Sequence, residues 1–156
     1  MFGFMKNKKV KIIRPVKGNI VEISEVPDMA FSQKMLGDGF AIIPTEGMIK
    51  APVSGQIVQI FPTNHAFGIR TEEGLEILIH IGIDTVELNG EGFERQLEPE
   101  QYVKVGDPII KVDLEYIKSK GKNIITPIVF TSTDRVKEFT ISQDGENEEI
   151  AIVRLT

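Results

Sequence analysis

Short apolar runs, many of them alternating, are separated by Gly, Pro, Asp and Asn along most of the chain. Val, Ile, Phe and Thr dominate these runs, which is the composition of strands rather than helices. The pattern predicts strands at Lys11–Ile13, Asn19–Ile23, Gly39–Ile43, Met48–Ala51, Gly55–Phe61 and Ala66–Thr71. It predicts further strands at Leu75–Ile81, Tyr102–Val105, Asp107–Val112, Thr126–Phe130, Val136–Ile141 and Glu149–Leu155. Helical signals are few. Asp113 is placed to cap a short helix over Leu114–Ser119 that Gly121 ends, and Pro27–Leu36 reads as a turn or two stopped by Gly37. Many short strands with turn residues between them point to an all-β fold, an antiparallel β-sandwich or distorted barrel with a few short helical turns.

The chain also repeats itself. Arg14–Ile23 (RPVKGNIVEI) and Ala51–Ile60 (APVSGQIVQI) agree at six of ten positions with an offset of 37 residues. In each copy Pro precedes Gly by three residues, a turn signal, and an Ile-Val-x-Ile run follows. The reading is a duplicated hairpin motif.

Length and charge narrow the class. A chain of 156 residues is one ordinary domain. Residues 1–10 read as a basic, flexible tail and residues 11–156 as the domain. The absence of Cys excludes disulfides, Cys-ligated metals and thiol chemistry in this chain. Neither a signal peptide nor an apolar run of membrane-spanning length is evident, so the cytoplasm is the default compartment. A net charge of -5 argues against nucleic acid as a partner. The first 21 residues nevertheless hold six basic residues and no acid. With Phe2, Phe4 and Met5 they offer at most weak contact with an anionic membrane.

Two histidines carry the candidate chemistry. His80 lies in Ile77-Leu78-Ile79-His80-Ile81-Gly82-Ile83, a run expected of a strand buried on both faces. A polar ring there must be hydrogen-bonded. His65 lies in the polar tip Pro62-Thr63-Asn64-His65-Ala66-Phe67. A hairpin turning at Glu72-Glu73-Gly74 would set His80 opposite Thr63 to Ala66, so a His–His pair with a Thr hydroxyl beside it is geometrically permitted. Neutral imidazoles so placed are nucleophiles, bases or metal ligands.

The segment Gly74-Leu75-Glu76-Ile77-Leu78-Ile79-His80-Ile81-Gly82-Ile83-Asp84-Thr85-Val86 resembles the active-site signature of the glucose-type enzyme IIA of the bacterial phosphoenolpyruvate:sugar phosphotransferase system. That signature runs Gly, two free positions, three apolar residues, His, apolar, Gly, apolar, any residue, Thr and a small apolar residue, and every position fits. Thr63-Asn64-His65 resembles the family's second histidine segment, and the likeness runs from about Ile12 to Leu155. The resemblance implies an antiparallel β-sandwich that accepts a phosphoryl group from HPr and passes it to a Cys of an enzyme IIB domain. It implies that His80 is phosphorylated, that His65 holds the phosphoryl group and that Thr63 hydrogen-bonds at the pair. It implies an apolar docking rim of Phe31, Met35, Leu36, Phe61 and Val86, with acids at Asp28, Asp84 and Asp134. One departure is Arg70, which stands where enterobacterial members carry an acid.

For such a transfer the second ring nitrogen of His80 should donate to a backbone carbonyl, and that of Gly82 is the candidate. No cofactor is required. The pair His65 and His80 is a further candidate site for Zn(II), with a carboxylate supplied by a partner, and regulatory targets that read the phosphorylation state would use the same face. Ala51–Ile57 and Val103–Ile109 also look like half-repeats of biotinyl or lipoyl carrier domains. Lys50 lacks the exposed hairpin-tip setting those domains need, and the chain is about twice their size.

Overall fold

The structure is a computed structural model that describes residues 8–98, 100–142 and 148–156. Phe2, Phe4, Met5 and Lys6, on which membrane contact was expected, lie outside the described residues. The elements follow in the order β1 (Lys8–Ile13), β2 (Gly18–Glu22), α1 (Met29–Ser32), β3 (Gly39–Pro44), β4 (Met48–Lys50), β5 (Gly55–Ile60), β6 (Ala66–Arg70) and β7 (Glu76–His80). Then come β8 (Phe93–Arg95), β9 (Tyr102–Val103), β10 (Pro108–Val112), α2 (Leu114–Ser119), β11 (Thr126–Phe130), β12 (Val136–Ile141) and β13 (Glu149–Leu155). All ladders among them are antiparallel. A seven-stranded sheet has the order β2-β3-β11-β7-β6-β5-β9, and two three-stranded sheets have the orders β4-β10-β8 and β1-β13-β12. The fold class matches the sequence reading.

The period of two along the strands sorts side chains onto two faces of the large sheet. Phe40, Ile42, Phe67, Ile69, Ile77, Ile79, Ile128 and Phe130 point into the main core. The residues between them, Ala41, Leu78 and Val129, belong to a smaller cluster with Ile23, Val26, Phe31, Ile83 and Ile125. The segment carrying α1 contributes Phe31 to that second cluster. β7 departs from the expectation of a strand buried on both faces. Ile77 and Ile79 are buried, while Glu76, Leu78 and His80 are half-buried on the side that α1 covers incompletely.

The repeat is a structural one. Ile13 N–H donates to the Pro52 carbonyl at 2.9 Å, and Lys50 N–H donates to the Pro15 carbonyl at 2.7 Å. Each bond joins one copy to the other at equivalent positions, so the two turns grip each other through reciprocal bonds. The glycines are equivalent too. A Cβ on Gly18 would meet the Ile43 carbonyl oxygen at 2.2 Å, and one on Gly55 would meet that of Arg70 at 2.3 Å.

Boundaries shift where packing outweighs local pattern. β1 begins at Lys8, because Val10 is buried opposite Val153, so residues 8–10 belong to the sheet and not to a flexible tail. Ile23 leaves β2 for a single 3-10 turn, Ile23–Glu25, that turns it into the smaller cluster. β8 was not foreseen: Phe93 is its one buried residue, and three residues are too few to show a period. Asp113 caps α2 by accepting from Tyr116 N at 3.0 Å.

Candidate active site

The β6–β7 hairpin places Ala66 opposite His80, within the range the sequence allowed. Ile81 N–H continues the ladder by donating to the His65 carbonyl at 2.7 Å. His65 itself stands just before β6, in a tight turn where Asn64 N–H donates to the Phe61 carbonyl at 2.7 Å and Asn64 takes a left-handed φ of 60°. These two backbone features bring the rings together. Their centroids are 5.1 Å apart and their planes make an angle of 79°.

Each ring is held at Nδ1. His80 Nδ1 lies 2.7 Å from the Gly82 carbonyl oxygen. A carbonyl only accepts, so this partner assigns the proton to Nδ1 and leaves Nε2 of the neutral ring bare. His65 Nδ1 lies 2.6 Å from Thr63 Oγ1. Both pairings were expected from the sequence.

Aromatic walls complete the site. Phe31 lies 5.1 Å from the His80 ring, and Phe61 lies 5.3 Å from the His65 ring at 75°. Burial holds the His80 ring below its usual basicity, against the opposing pull of the Gly82 carbonyl and of Asp28 and Asp84. Burial also pushes His65 down, to about 4, with a smaller contribution from the His80 charge. Burial thus favours the neutral form of both rings.

The other candidates divide. Asp28 accepts from Ala30 N at 2.9 Å and caps α1, so the acid beside His80 also fixes the helix that carries Phe31. Asp84 is exposed with φ 59° at the start of the 3-10 turn Thr85–Leu88. Met35 (69% exposed), Leu36 (43%) and Val86 (50%) have the exposed apolar side chains expected of a docking fringe, and Phe61 is half-buried. Phe31 is not part of that fringe: only 3% exposed, it is a wall beneath His80. Asp134 is not brought to the rings either. It follows β11, whose next residue Thr131 donates to the Glu76 carbonyl, so it lies toward the end of β7 opposite His80. Arg70 lies at that same end, in an ion pair of 3.6 Å with its cross-strand neighbour Glu76. One brace had no local signal in the sequence. Arg95 Nε donates to Asn64 Oδ1 at 3.0 Å across 31 residues and steadies the turn that carries His65.

Among the described residues no three His, Cys, Asp or Glu side chains converge as a metal site. The pair alone supplies two nitrogens, short of the four ligands a closed zinc site needs. No helix among the described residues is long and apolar enough to cross a membrane.

Comparison with known proteins is consistent along nearly the whole chain. The family model described as phosphoenolpyruvate-dependent sugar phosphotransferase system, EIIA 1, matches residues 10–136. The chain is 47% identical over 143 residues to the PTS system glucose-specific EIIA component of Staphylococcus epidermidis, covering 90% of this chain and 86% of that one. It is 46% identical over 147 residues to the protein of the same description from Staphylococcus aureus, covering 93% and 89%. Among solved structures, glucose permease IIA from Mycoplasma capricolum superposes with a TM-score of 0.85 at 43% identity, covering 94% of this chain and 96% of that one.

Proposed function

Because this chain belongs to the phosphoenolpyruvate-dependent sugar phosphotransferase EIIA family, and so is a phosphocarrier component of sugar uptake, we propose that His80 is its phosphoryl carrier. In this reading Nε2 of His80 attacks the phosphorus held by a phosphohistidine of HPr. One phosphorus–nitrogen bond forms as the other breaks. A cysteine thiolate of an enzyme IIB domain then attacks the same phosphorus and takes it from His80. The observation that carries the reading is the 2.7 Å contact from His80 Nδ1 to the Gly82 carbonyl, because it leaves Nε2 as a fixed, unprotonated nucleophile.

Little covalent work is then left to the protein, which positions groups and offsets charge. Thr63 donates its hydroxyl proton to Nδ1 of His65, so that Nε2 of His65 keeps its N–H. That N–H donates to a phosphoryl oxygen on the neighbouring ring. Phe31 and Phe61 shield the rings from the side. Met35, Leu36 and Val86 give a docking partner an apolar seat that excludes water during transfer. Asp28 and Asp84 attract basic groups on that partner and speed its encounter. The relay needs no cofactor, and its donor places it in the cytoplasm.

Intact mass after incubation with phosphoenolpyruvate, enzyme I and HPr tests this reading. The expected result is one added phosphate, lost in acid, kept in base and mapped to His80. His80→Gln should take none. Phosphate on another residue, or full labelling of His80→Gln, would overturn the assignment.

A further inference from the structure

The turn that presents the Gly82 carbonyl to His80 is gripped at three points. Ile81 N–H donates to the His65 carbonyl at 2.7 Å. The Ile81 carbonyl accepts from Thr85 Oγ1 at 2.6 Å. Ile83 N–H donates to the Asn123 carbonyl at 2.9 Å. The third bond belongs to the same peptide unit as the Gly82 carbonyl, and the second belongs to the peptide unit before it. Together they fix the two planes on either side of the Gly82 Cα.

Such fixing is needed because the hinge between those planes is the loosest residue type. Gly82 sits at φ 79°, a left-handed conformation in which glycine is free to move. It has no side chain to wedge it. A Cβ there would lie 2.5 Å from Thr85 Cγ2 and 2.9 Å from the Asn123 carbonyl oxygen, so the space beside it is already filled by the groups that hold it. Of the three clamps, two are backbone and one is a side chain. Thr85 is wholly buried, and its branched Cβ restricts χ1. Its hydroxyl is the donor to an otherwise enclosed carbonyl.

From this geometry we infer that Thr85 is a positioning residue: its hydroxyl, acting through the Ile81 carbonyl, keeps the Gly82 carbonyl on Nδ1 of His80 and so keeps Nε2 bare for the phosphoryl group. The inference rests on His80 being the acceptor for its kinetic consequence. Its tautomeric consequence holds in the resting protein whatever the acceptor is. The Thr85 hydroxyl loses no proton in the transfer and touches neither ring.

The test compares Thr85→Val, which keeps the methyl and shape but not the hydroxyl, with Thr85→Ser, which keeps the hydroxyl. The tautomer of His80 is read from its ring 15N shifts in the unphosphorylated protein. The rate of labelling from phospho-HPr is read alongside. Thr85→Val should give a mixed His80 tautomer and label roughly tenfold more slowly, comparable with the loss of an outer-shell partner that orients a ligating histidine. Thr85→Ser should restore both readouts. If Thr85→Val does not fold, Thr85→Ala against Thr85→Ser carries the same comparison. A hydroxyl-free variant with a pure Nδ1–H tautomer and wild-type labelling would overturn the inference. So would a Thr85→Ser variant as impaired as Thr85→Val, since the methyl would then be the working group. Failure of wild-type His80 to take phosphate would sink the relay while leaving the 15N comparison decisive for Thr85.

Discussion

The imidazoles of His65 and His80 meet edge to face at 79°, each anchored at Nδ1 by a different kind of partner. A carbonyl forces Nδ1 of His80 to donate, whereas a hydroxyl is able to donate to Nδ1 of His65. In the proposed relay these two like side chains take unlike roles at Nε2, His80 as nucleophile and His65 as donor. The consequences separate experimentally.

His65→Gln keeps an N–H donor near the phosphoryl oxygens and removes the imidazole. Uptake of phosphate from HPr should stay partly intact, while transfer to enzyme IIB should be impaired. The two half-reactions are measured separately with purified partners. Equal loss in both would remove the division of roles.

Acid should loosen the fold through the same pair. His65 titrates at about 4 in the folded chain against an ordinary 6.5, and His80 is lowered as well. The unfolded chain therefore binds more protons between those values, so stability falls as pH drops from about 6.5 toward 4. Urea unfolding at several pH values measures the slope. His65→Gln should flatten it over that window, and an unchanged slope would show that other groups cause it.

Phe31→Ala should both destabilise the fold and raise the titration midpoint of His80. Removing a buried phenyl ring costs about 3–5 kcal/mol, and the desolvation that chiefly depresses His80 is relieved with it. Phe31→Leu should show a smaller version of both effects. Proton NMR of the ring against pH gives the midpoint. An unmoved midpoint in a folded variant would mean that Phe31 does not shield the ring.

Met35→Asp should leave the unfolding free energy measured in urea within about 0.5 kcal/mol of wild type, as for exposed sites generally. Met35 is 69% exposed, so no core packing is lost. Phosphoryl exchange with both partners should slow, because a charge then lies in their apolar seat. Unchanged exchange rates would remove Met35 from the docking fringe.

Gly18→Ala and Gly55→Ala should destabilise the chain alike, by about 2–4 kcal/mol each, through a Cβ driven onto a neighbouring carbonyl. Urea unfolding measures both. A marked inequality would show that the two copies of the repeat carry unequal parts of the fold.

Much of this was legible in one dimension because the signals are local. Strand alternation depends on a period of two, and the turn at Glu72-Glu73-Gly74 fixes which residues face His80. The Gly82 carbonyl stands two residues from His80, so short-range spacing was enough to name that partner, whereas the family resemblance implied the Thr63 contact at the pair. The copies at Arg14–Ile23 and Ala51–Ile60 announced a duplicated turn from their letters alone.

The tertiary structure decided what depends on distant parts of the chain meeting. Phe31 reads equally well as an exposed rim residue or a buried one, and only α1 packing over the smaller cluster buries it. Asp134 shares its charge with Asp28 and Asp84, yet the direction of β11 carries it away from the rings that they flank. The Arg95–Asn64 brace, the Asn123 grip on Ile83 and the reciprocal bonds of Pro15 and Pro52 each join residues far apart in sequence. No spacing rule encodes such contacts, since they arise when sheets close on one another and buried polar groups must find whatever partner is then at hand.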